Sequence, residues 1–401
     1  MSAGATHVST NRTEEVVRSL LEIADVRIGG DRPWDISVYD PRFYGRVLGH
    51  GAMGLGESYV DGWWDAHRID ELVHRILRAR LHEKVGPGLG IAWLQLAGKL
   101  ANRRHRSRTR VGDTHYDRGN DLFQAMLDRR MTYSCAFWED AETLDAAQEN
   151  KLDLVCRKLG LTPGMSVLDI GCGWGSFAGF AAERYGVTVT GINNSKEQVE
   201  LGSKLVAGLP VEIRYQDYRD VEGTFDRVVS IGMFEHVGPE NYAAFMDVAR
   251  RRLKDDGLLL LHTIGANEEG RAPEDWVEKY IFPGSALPTP GQIANAFQGR
   301  FVMEDWHNLS VDYDKTLLAW YENFDANWDS LRDRYGDRFY RTWKNYLLTC
   351  AGAFRARYNQ VWQVVLSIHG VEGGYRLAPP RWTRQRRDVE THSLVGTANG
   401  G

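Results

Sequence analysis

The chain has 401 residues, of which 43% are hydrophobic and 26% are charged, and its formal net charge at pH 7 is −5. This composition is typical of a soluble globular protein with room for two domains, and it argues against disorder and against wholesale nucleic-acid binding. No apolar run reaches the roughly 18 to 20 residues that cross a bilayer, and the N-terminus has neither a basic start nor an apolar core. We therefore expect a cytoplasmic protein without a signal peptide.

The first 100 residues are predicted to form a small, mostly helical domain. Residues 1–10 are expected to be disordered, helices are predicted at 13–26, 41–48 and 70–81, and a short strand is predicted at 35–39. Tyr59, Trp63 and Trp64 lie close together in the chain. Such aromatic side chains can pack in a core or lie at a lipid headgroup boundary, and we favour core packing.

A basic linker, residues 101–113, is predicted to follow this domain, and a basic flexible tail, residues 381–401, is predicted to end the chain. Arginines are concentrated in both, at 102–110 and 381–387, and residues 85–101 before the linker are amphipathic. Each basic run can attract phosphates, on an anionic membrane face or in nucleic acid, or can be a solvated segment.

Residues 114–380 are predicted to form the catalytic domain, an α/β fold with a mostly parallel, doubly wound, Rossmann-like sheet. The patterns predict strands at 167–170, 187–192, 211–215, 225–231, 258–263 and 361–368. Helices are predicted at 144–159, 177–185, 195–207 and 242–253, and a long aromatic-rich helical insertion is predicted at 315–358.

The motif V-L-D-I-G-C-G-W-G-S joins the first of these strands to its helix and places Gly171, Gly173 and Gly175 at every second position. The glycines let the backbone approach a nucleotide-type ligand where a Cβ would collide. The third glycine comes one residue early for a dinucleotide-binding G-x-G-x-x-G, and the lysine of a P-loop is missing. The motif resembles motif I of S-adenosylmethionine-dependent methyltransferases, and Asp169 can face a cationic amine.

Ligand groups in an open α/β sheet collect beyond the carboxyl ends of its strands. Asn193, Asn194 and Gln198 follow the second strand, where many methyltransferases have an acid for the ribose, and could supply hydrogen bonds instead. After the third strand come Gln216, Asp217 and Tyr218. We expect Asp217 to accept from the adenine amino group and Tyr218 or a neighbour to stack on the ring.

Cysteine and histidine patterns add few constraints of their own. The four cysteines (Cys135, Cys156, Cys172, Cys350) form no C-x-x-C pair, so we expect reduced thiols. No set of His, Cys, Asp and Glu has metal-ligand spacing, and we predict no metal site. On residue type alone, Cys135 and His262 are more often core residues than catalytic ones.

An ordered set of motifs resembles the family of cyclopropane-fatty-acyl-phospholipid synthases. The set spans most of residues 114–370 and comprises H-Y-D-R-G-N-D-L-F at 115, Y-S-C-A-F-W at 133, the glycine loop, Q-D-Y-R-D at 216, F-E-H-V-G-P at 234, L-L-H-T-I-G at 260, K-Y-I-F-P at 279, V-M-E-D-W-H-N at 302, D-Y-D-K-T-L-L-A-W-Y at 312 and A-G-A-F-R-A-R at 351. The N-terminal region resembles the accessory domain of full-length bacterial synthases.

The resemblance implies transfer of a methylene group from S-adenosylmethionine to the cis double bond of an unsaturated acyl chain in a membrane phospholipid. It implies a bound bicarbonate as the base, held by Cys135, Glu235, His262, Tyr313 and the backbone of Ile264. Because two anions would repel each other, we expect the bicarbonate hydroxyl to donate to the Glu235 carboxylate.

The resemblance further implies Tyr133 and Ser134 at the cofactor, and a homodimer that binds peripherally to the inner membrane face. Several side chains of the helical insertion are expected to line an acyl tunnel: Leu317, Leu318, Trp320, Tyr321 and Phe324. Rings such as Tyr133, Phe234 and Tyr313 can stabilise a passing carbocation.

Three alternatives stay open on the sequence. A lipid methyltransferase could leave a methyl or methylene branch in place of a ring. A noncatalytic phospholipid-binding protein could keep a vestigial nucleotide site, against which Asp169, Glu235 and His262 argue. A nucleic-acid methyltransferase would carry an N-P-P-Y or P-C type loop after the fourth strand, where this chain has M-F-E-H.

Overall fold

The computed structural model describes residues 4–81, 119–268 and 275–379. The N-terminal region contains α1 (Gly4–Ile23), β1 (Ser37–Val38), α2 (Arg42–Val60), β2 (Trp64–Asp65) and α3 (Ile69–Arg78). The predicted disorder of residues 1–10 is wrong from Gly4 onward, since no glycine or proline after Gly4 interrupts the helix. Helix α2 also runs past its predicted end at residue 48, with a kink where Gly51 has φ 54°.

The aromatic side chains of this region confirm the core interpretation in two of three cases. Tyr59 and Trp64 are buried, and their ring centroids lie 5.1 Å apart. Trp63 is half-buried and is covered by two guanidinium groups, of Arg42 at 4.5 Å and of Arg46 at 4.8 Å from its ring. Cation–π contacts therefore occupy the face of Trp63.

The second part of the chain builds one large sheet and its flanking helices. In chain order these elements are α4 (Asn120–Met126), α5 (Leu144–Lys158), β3 (Ser166–Ile170), α6 (Ser176–Tyr185), β4 (Thr188–Asn193), α7 (Lys196–Leu205), β5 (Val211–Tyr215), β6 (Phe225–Ile231), α8 (Tyr242–Arg252), β7 (Leu253–Ala266), α9 (Asp275–Tyr280), α10 (Pro290–Phe297), β8 (Val302–Asn308), α11 (Ser310–Ala326), α12 (Trp328–Arg355) and β9 (Asn359–Ser367).

The seven strands are ordered β5-β4-β3-β6-β7-β9-β8, and only β9 runs against the others. The predicted mostly parallel, doubly wound sheet is therefore confirmed. Its centre is apolar on both faces: Leu258–Leu261 of β7 are all buried, and alternate leucines enter opposite core clusters. Strand β8 was not predicted, because its residues are mostly half-exposed and a bulge between Met303 and Asp305 breaks their alternation.

The N-terminal region packs on the helical insertion, which consists of α11 and α12. A Cβ added to Gly352 of α12 would lie 2.4 Å from the backbone oxygen of Asp70 in α3, so only glycine allows this approach. Arg355 then pairs with the buried Asp70 at 2.8 Å and with Asp314 of α11 at 2.9 Å. The predicted linker and tail lie outside the described residues.

Candidate active site

A cavity of about 430 Å³ opens at the carboxyl ends of β3, β4, β5 and β6. Ten of the eleven predicted cofactor-binding residues line it: Tyr133, Ser134, Asp169, Gly171, Gly173, Asn193, Gln198, Gln216, Asp217 and Tyr218. Gly175 does not. It precedes α6 at φ 82°, and a Cβ there would lie 2.8 Å from Ile213 Cδ1, so its place in the motif serves packing.

The glycine loop follows β3 in the left-handed conformation that its sequence predicts, with φ 83° at Gly171 and φ 56° at Gly173. The N–H of Gly171 donates to the Ile192 carbonyl oxygen at 2.9 Å, which ties the loop to β4. The loop backbone thus forms one wall of the cavity.

Asp169, at the end of β3, is fully buried, and its Oδ2 atom has no hydrogen-bond partner among the described residues. Burial raises the pKa of Asp169 to about 7, and the positive charge of Lys151 opposes that rise. Buried polar atoms almost always find a partner, and an orphaned carboxylate oxygen in a cavity wall fits a ligand that brings a donor. The ammonium group of a methionine moiety is such a donor.

The side chain of Asn193, by contrast, is satisfied within the protein. Its Nδ2 donates to the Gly173 carbonyl oxygen at 3.2 Å and to Gln198 Oε1 at 2.7 Å, and its Oδ1 accepts from the Ser195 N–H at 3.1 Å. Asn193 therefore holds the glycine loop, and its partner Gln198 also lines the cavity.

Asp217 lines the cavity but already has a cationic partner. Arg219 reaches it at 2.7 Å, and hydrogen bonds from Arg219 hold the pKa of Asp217 below its usual value. An adenine amino group would share that carboxylate. Tyr218 is half-buried against Phe245, with ring centroids 5.4 Å apart.

Glu235 does not itself line the cavity, but in the chain it lies between two residues that do, Met233 and His236. Its Oε1 accepts a 2.6 Å hydrogen bond from the backbone N–H of Ile264, and its buried Oε2 has no partner among the described residues. Burial raises the pKa of Glu235 to about 7, although the Ile264 N–H works against the rise. One oxygen is thus fixed and the other is available.

Cys135 and Tyr313 share this buried region. The Cys135 thiol is fully buried, and its single S–H has two carbonyl oxygens as alternative acceptors, that of Ala136 at 3.2 Å and that of Leu309 at 3.7 Å. Burial raises the pKa of Cys135 well above its usual value, so the sulfur stays a neutral thiol. Burial also raises the pKa of Tyr313 well above its usual value, so the phenol keeps its proton.

His262 is buried in β7, two residues before Ile264 and on the same face of the strand. Its Nδ1 lies 3.3 Å from Nε2 of Gln363 in β9. Burial, and then the charges of Lys151 and Lys158, lower the pKa of His262 well below its usual value. The imidazole is therefore neutral. Among the described residues its side-chain hydrogen-bond partner is Gln363, not another predicted catalytic residue.

Aromatic residues of α11 contact Tyr133, which lines the cavity. The Trp320 ring centroid lies 5.1 Å from that of Tyr133 and 5.8 Å from that of Tyr313. Leu317, Trp320 and Phe324 are buried, and Leu318 and Tyr321 are partly buried against the same core. Their lining of an acyl tunnel stays a prediction.

Two polar residues at the site escaped the sequence analysis, Lys151 and Gln363. Lys151 lines the cavity, and Gln363 contacts His262. The sequence feature that could have indicated Lys151 is its place as a single lysine on the buried face of α5, beside Leu152 and Val155. Across the described residues, no cluster of His, Cys, Asp and Glu is arranged to hold a metal ion, and no helix has the length and apolar character of a membrane span.

The sheet order, the glycine loop after its first strand and the acid beside it define the class of S-adenosylmethionine-dependent methyltransferases. Coclaurine N-methyltransferase bound to N-methylheliamine and SAH shares the fold, with a TM-score of 0.62 and 22% identity over 79% of this chain and 99% of that one. Mycolic acid cyclopropane synthase CmaA1 complexed with SAH and CTAB is 35% identical, with a TM-score of 0.60, over 64% of this chain and 96% of that one.

Sequence comparison narrows the class to a family. Residues 103–364 match the model of the family described as mycolic acid cyclopropane synthetase. The chain is 50% identical to the cyclopropane-fatty-acyl-phospholipid synthase of Escherichia coli (strain K12) over 365 residues, which cover 90% of this chain and 95% of the relative. It belongs to the mycolic acid cyclopropane synthetase family of methyltransferases, and it is a homologue of cyclopropane-fatty-acyl-phospholipid synthase.

Proposed function

We propose that this protein transfers a methylene group from S-adenosylmethionine to the cis double bond of an unsaturated acyl chain in a membrane phospholipid, forming a cyclopropane ring. The observation that carries the proposal is Glu235, a buried carboxylate with one fixed and one unpartnered oxygen, in a short segment whose residues Met233 and His236 line the cavity. The relative that shares half of its residues is named for this reaction.

Different cavity residues bind different parts of the cofactor. Asp169 accepts from the amine, Gln198 binds the ribose, and Asp217 and Tyr218 bind the adenine, while Tyr133 and Ser134 lie at the methionine end. When bound there, S-adenosylmethionine supplies an electrophilic methyl group. An alkene is a weak apolar nucleophile, so the contribution of the protein is to hold it in line with that methyl group and to exclude water.

Four buried residues near the cavity suit the second requirement, a base. Ring closure releases a proton, and bicarbonate held among Cys135, Glu235, His262 and Tyr313 would supply the base for it. Because the Ile264 N–H already donates to Glu235 Oε1, Ile264 contributes by orienting the carboxylate. The free Oε2 would then accept from the bicarbonate hydroxyl, while the neutral thiol, imidazole and phenol add no charge.

The aromatic side chains stabilise the cationic stage of the reaction. Ring faces attract a cation most strongly where water is excluded, and the Trp320 ring contacts the rings of both Tyr133 and Tyr313. We also propose a peripheral, cytoplasmic homodimer that takes its acyl chains from the membrane surface. This part of the proposal rests on the family resemblance.

The test uses the purified full-length protein with S-adenosylmethionine and vesicles of a cis-unsaturated phospholipid, with bicarbonate present or depleted. Fatty acids are analysed by mass spectrometry and proton NMR. A gain of one CH₂ with upfield ring protons supports the proposal, and dependence on bicarbonate supports the base. The same mass gain with vinylidene or branched-methyl signals would establish a branching methyltransferase instead. An unchanged mass would favour a phospholipid-binding protein.

A further inference from the structure

Lys151 is a fully buried lysine that lines the cavity beside Ser134 and Asp169. Its ammonium group donates to Ser134 Oγ at 2.9 Å, and no described carboxylate forms an ion pair with it. Removing an ammonium ion from water is expensive, and a single hydrogen bond to a neutral hydroxyl does not offset that cost. The arrangement therefore points to a missing anionic partner.

Nearby carboxylates do not supply that partner. Asp128 is the acid whose charge most supports the ammonium form of Lys151. Its oxygens, however, accept from the backbone N–H groups of Thr132 at 2.7 Å and Arg130 at 3.0 Å, and from the Thr132 hydroxyl at 3.2 Å. Asp169 also faces the cavity, with Oδ2 unpartnered among the described residues. The ammonium group of Lys151 and the carboxylate of Asp169 thus line the same cavity without forming an ion pair.

The hydrogen bond between Lys151 and Ser134 has a fixed direction. An ammonium group can only donate, so Ser134 Oγ must accept, and the hydroxyl hydrogen of Ser134 must point to another acceptor. Ser134 lines the cavity, so its hydroxyl is available as a donor there. Two further N–H groups of Lys151 are available in the same region. Together these donors form a subsite for an anion.

We propose that Lys151, acting directly and through Ser134, binds the carboxylate of the methionine moiety of the cofactor, while Asp169 binds its amine. The walls of the cavity then carry the two charges that complement a zwitterion. Charge-assisted hydrogen bonds of this kind are about twice as strong as neutral ones. The inference rests on the cofactor class shown by the family and not on the lipid product, so it can fail independently of the proposed reaction.

Calorimetric titration of the full-length protein tests the assignment with two ligands. S-adenosylhomocysteine carries both amine and carboxylate, and its decarboxylated analogue carries the amine alone. We expect Lys151→Met to weaken S-adenosylhomocysteine binding by about 10- to 100-fold, the range of a hydrogen bond to a charged group. Binding of the decarboxylated analogue should change by less than about threefold, because it offers no carboxylate to lose.

Lys158→Met is the matched control. It removes a second buried lysine of α5, which pairs with Asp305 at 2.7 Å and does not line the cavity, and it should leave both affinities unchanged. Ser134→Ala keeps Lys151 and should show a smaller loss with the same ligand selectivity, which provides the test if Lys151→Met does not fold. Equal losses for both ligands, or no loss for either, would overturn the assignment.

Discussion

Glu235→Gln is expected to remove a pH-dependent cost to the stability of the protein and to lower its activity. The native state raises the pKa of Glu235 from 4.5 to about 7, chiefly by burial. The native carboxyl therefore holds its proton more tightly than the unfolded one, and its ionisation lowers stability as pH rises from 4.5 through 7. Linkage with these two pKa values gives a cost of about 1 kcal/mol at pH 5 and about 3 kcal/mol at pH 8.

Glutamine cannot ionise, and its Oε1 can still accept from the Ile264 N–H. Its NH₂ group, placed where Oε2 stands, adds a cost that does not depend on pH. The informative quantity is therefore the change with pH. The variant should gain about 2 kcal/mol relative to the unsubstituted protein between pH 5 and pH 8.

Urea unfolding followed by tryptophan fluorescence, in buffer depleted of bicarbonate, measures this difference. Glu222→Gln is the control, because it removes an exposed carboxylate before β6 and should follow the unsubstituted protein at both pH values. An equal stability difference between Glu235→Gln and the unsubstituted protein at pH 5 and pH 8 would refute the reasoning. Methylene transfer by the variant should fall at least about 100-fold. Near-normal turnover would remove Glu235 from the proposed base site.

Three further predictions concern packing and reactivity. Gly352→Ala should cost about 1 to 3 kcal/mol in urea unfolding, because its Cβ would meet the α3 backbone at 2.4 Å, whereas Gly45→Ala, with nothing within 4 Å, should be neutral or stabilising. Arg355→Met leaves the buried Asp70 with Arg68 as its remaining cationic partner and should cost about 1 to 3 kcal/mol by the same measurement. In native protein, iodoacetamide should label the partly exposed Cys350 well before Cys135, as peptide mass spectrometry can show.

The core of the sheet was predictable because strands that are buried on both faces appear in the sequence as continuous apolar runs. Strands β5 and β6 have the bounds that the sequence indicates, β3 begins one residue earlier, and β4 is shifted by one residue at both ends. This apolar pattern is absent where a strand is only partly buried. Strand β8 is half-exposed, and α2 continues past its predicted end at residue 48 through several glycines. In α2, tertiary packing outweighs local propensity.

The position of the site was predictable for a topological reason, since parallel strands bring the residues that follow them to one edge. Which side chains of the site pair with one another was not predictable. The sequence does not reveal that Asn193 donates to the glycine loop or that Arg219 forms an ion pair with Asp217. Nor does it reveal that His262 contacts Gln363, which lies in a strand about 100 residues later in the chain. Lys151 shows the same limit, because a lone lysine in an apolar face gives no sign of what it contacts.

The position of β9 between β7 and β8 has a consequence for synthesis of the chain. Strand β7 ends at Ala266 and its outer partner begins at Asn359, so the edge of the sheet beside His262 stays open while the ribosome adds roughly 90 residues. At typical translation rates this takes about 5 to 20 s. The apolar face of α3 stays uncovered even longer, until α12 has been synthesised. A nascent chain therefore exposes an unpaired strand edge and an uncovered helix at once, and co-translational chaperones should bind it most strongly during that interval.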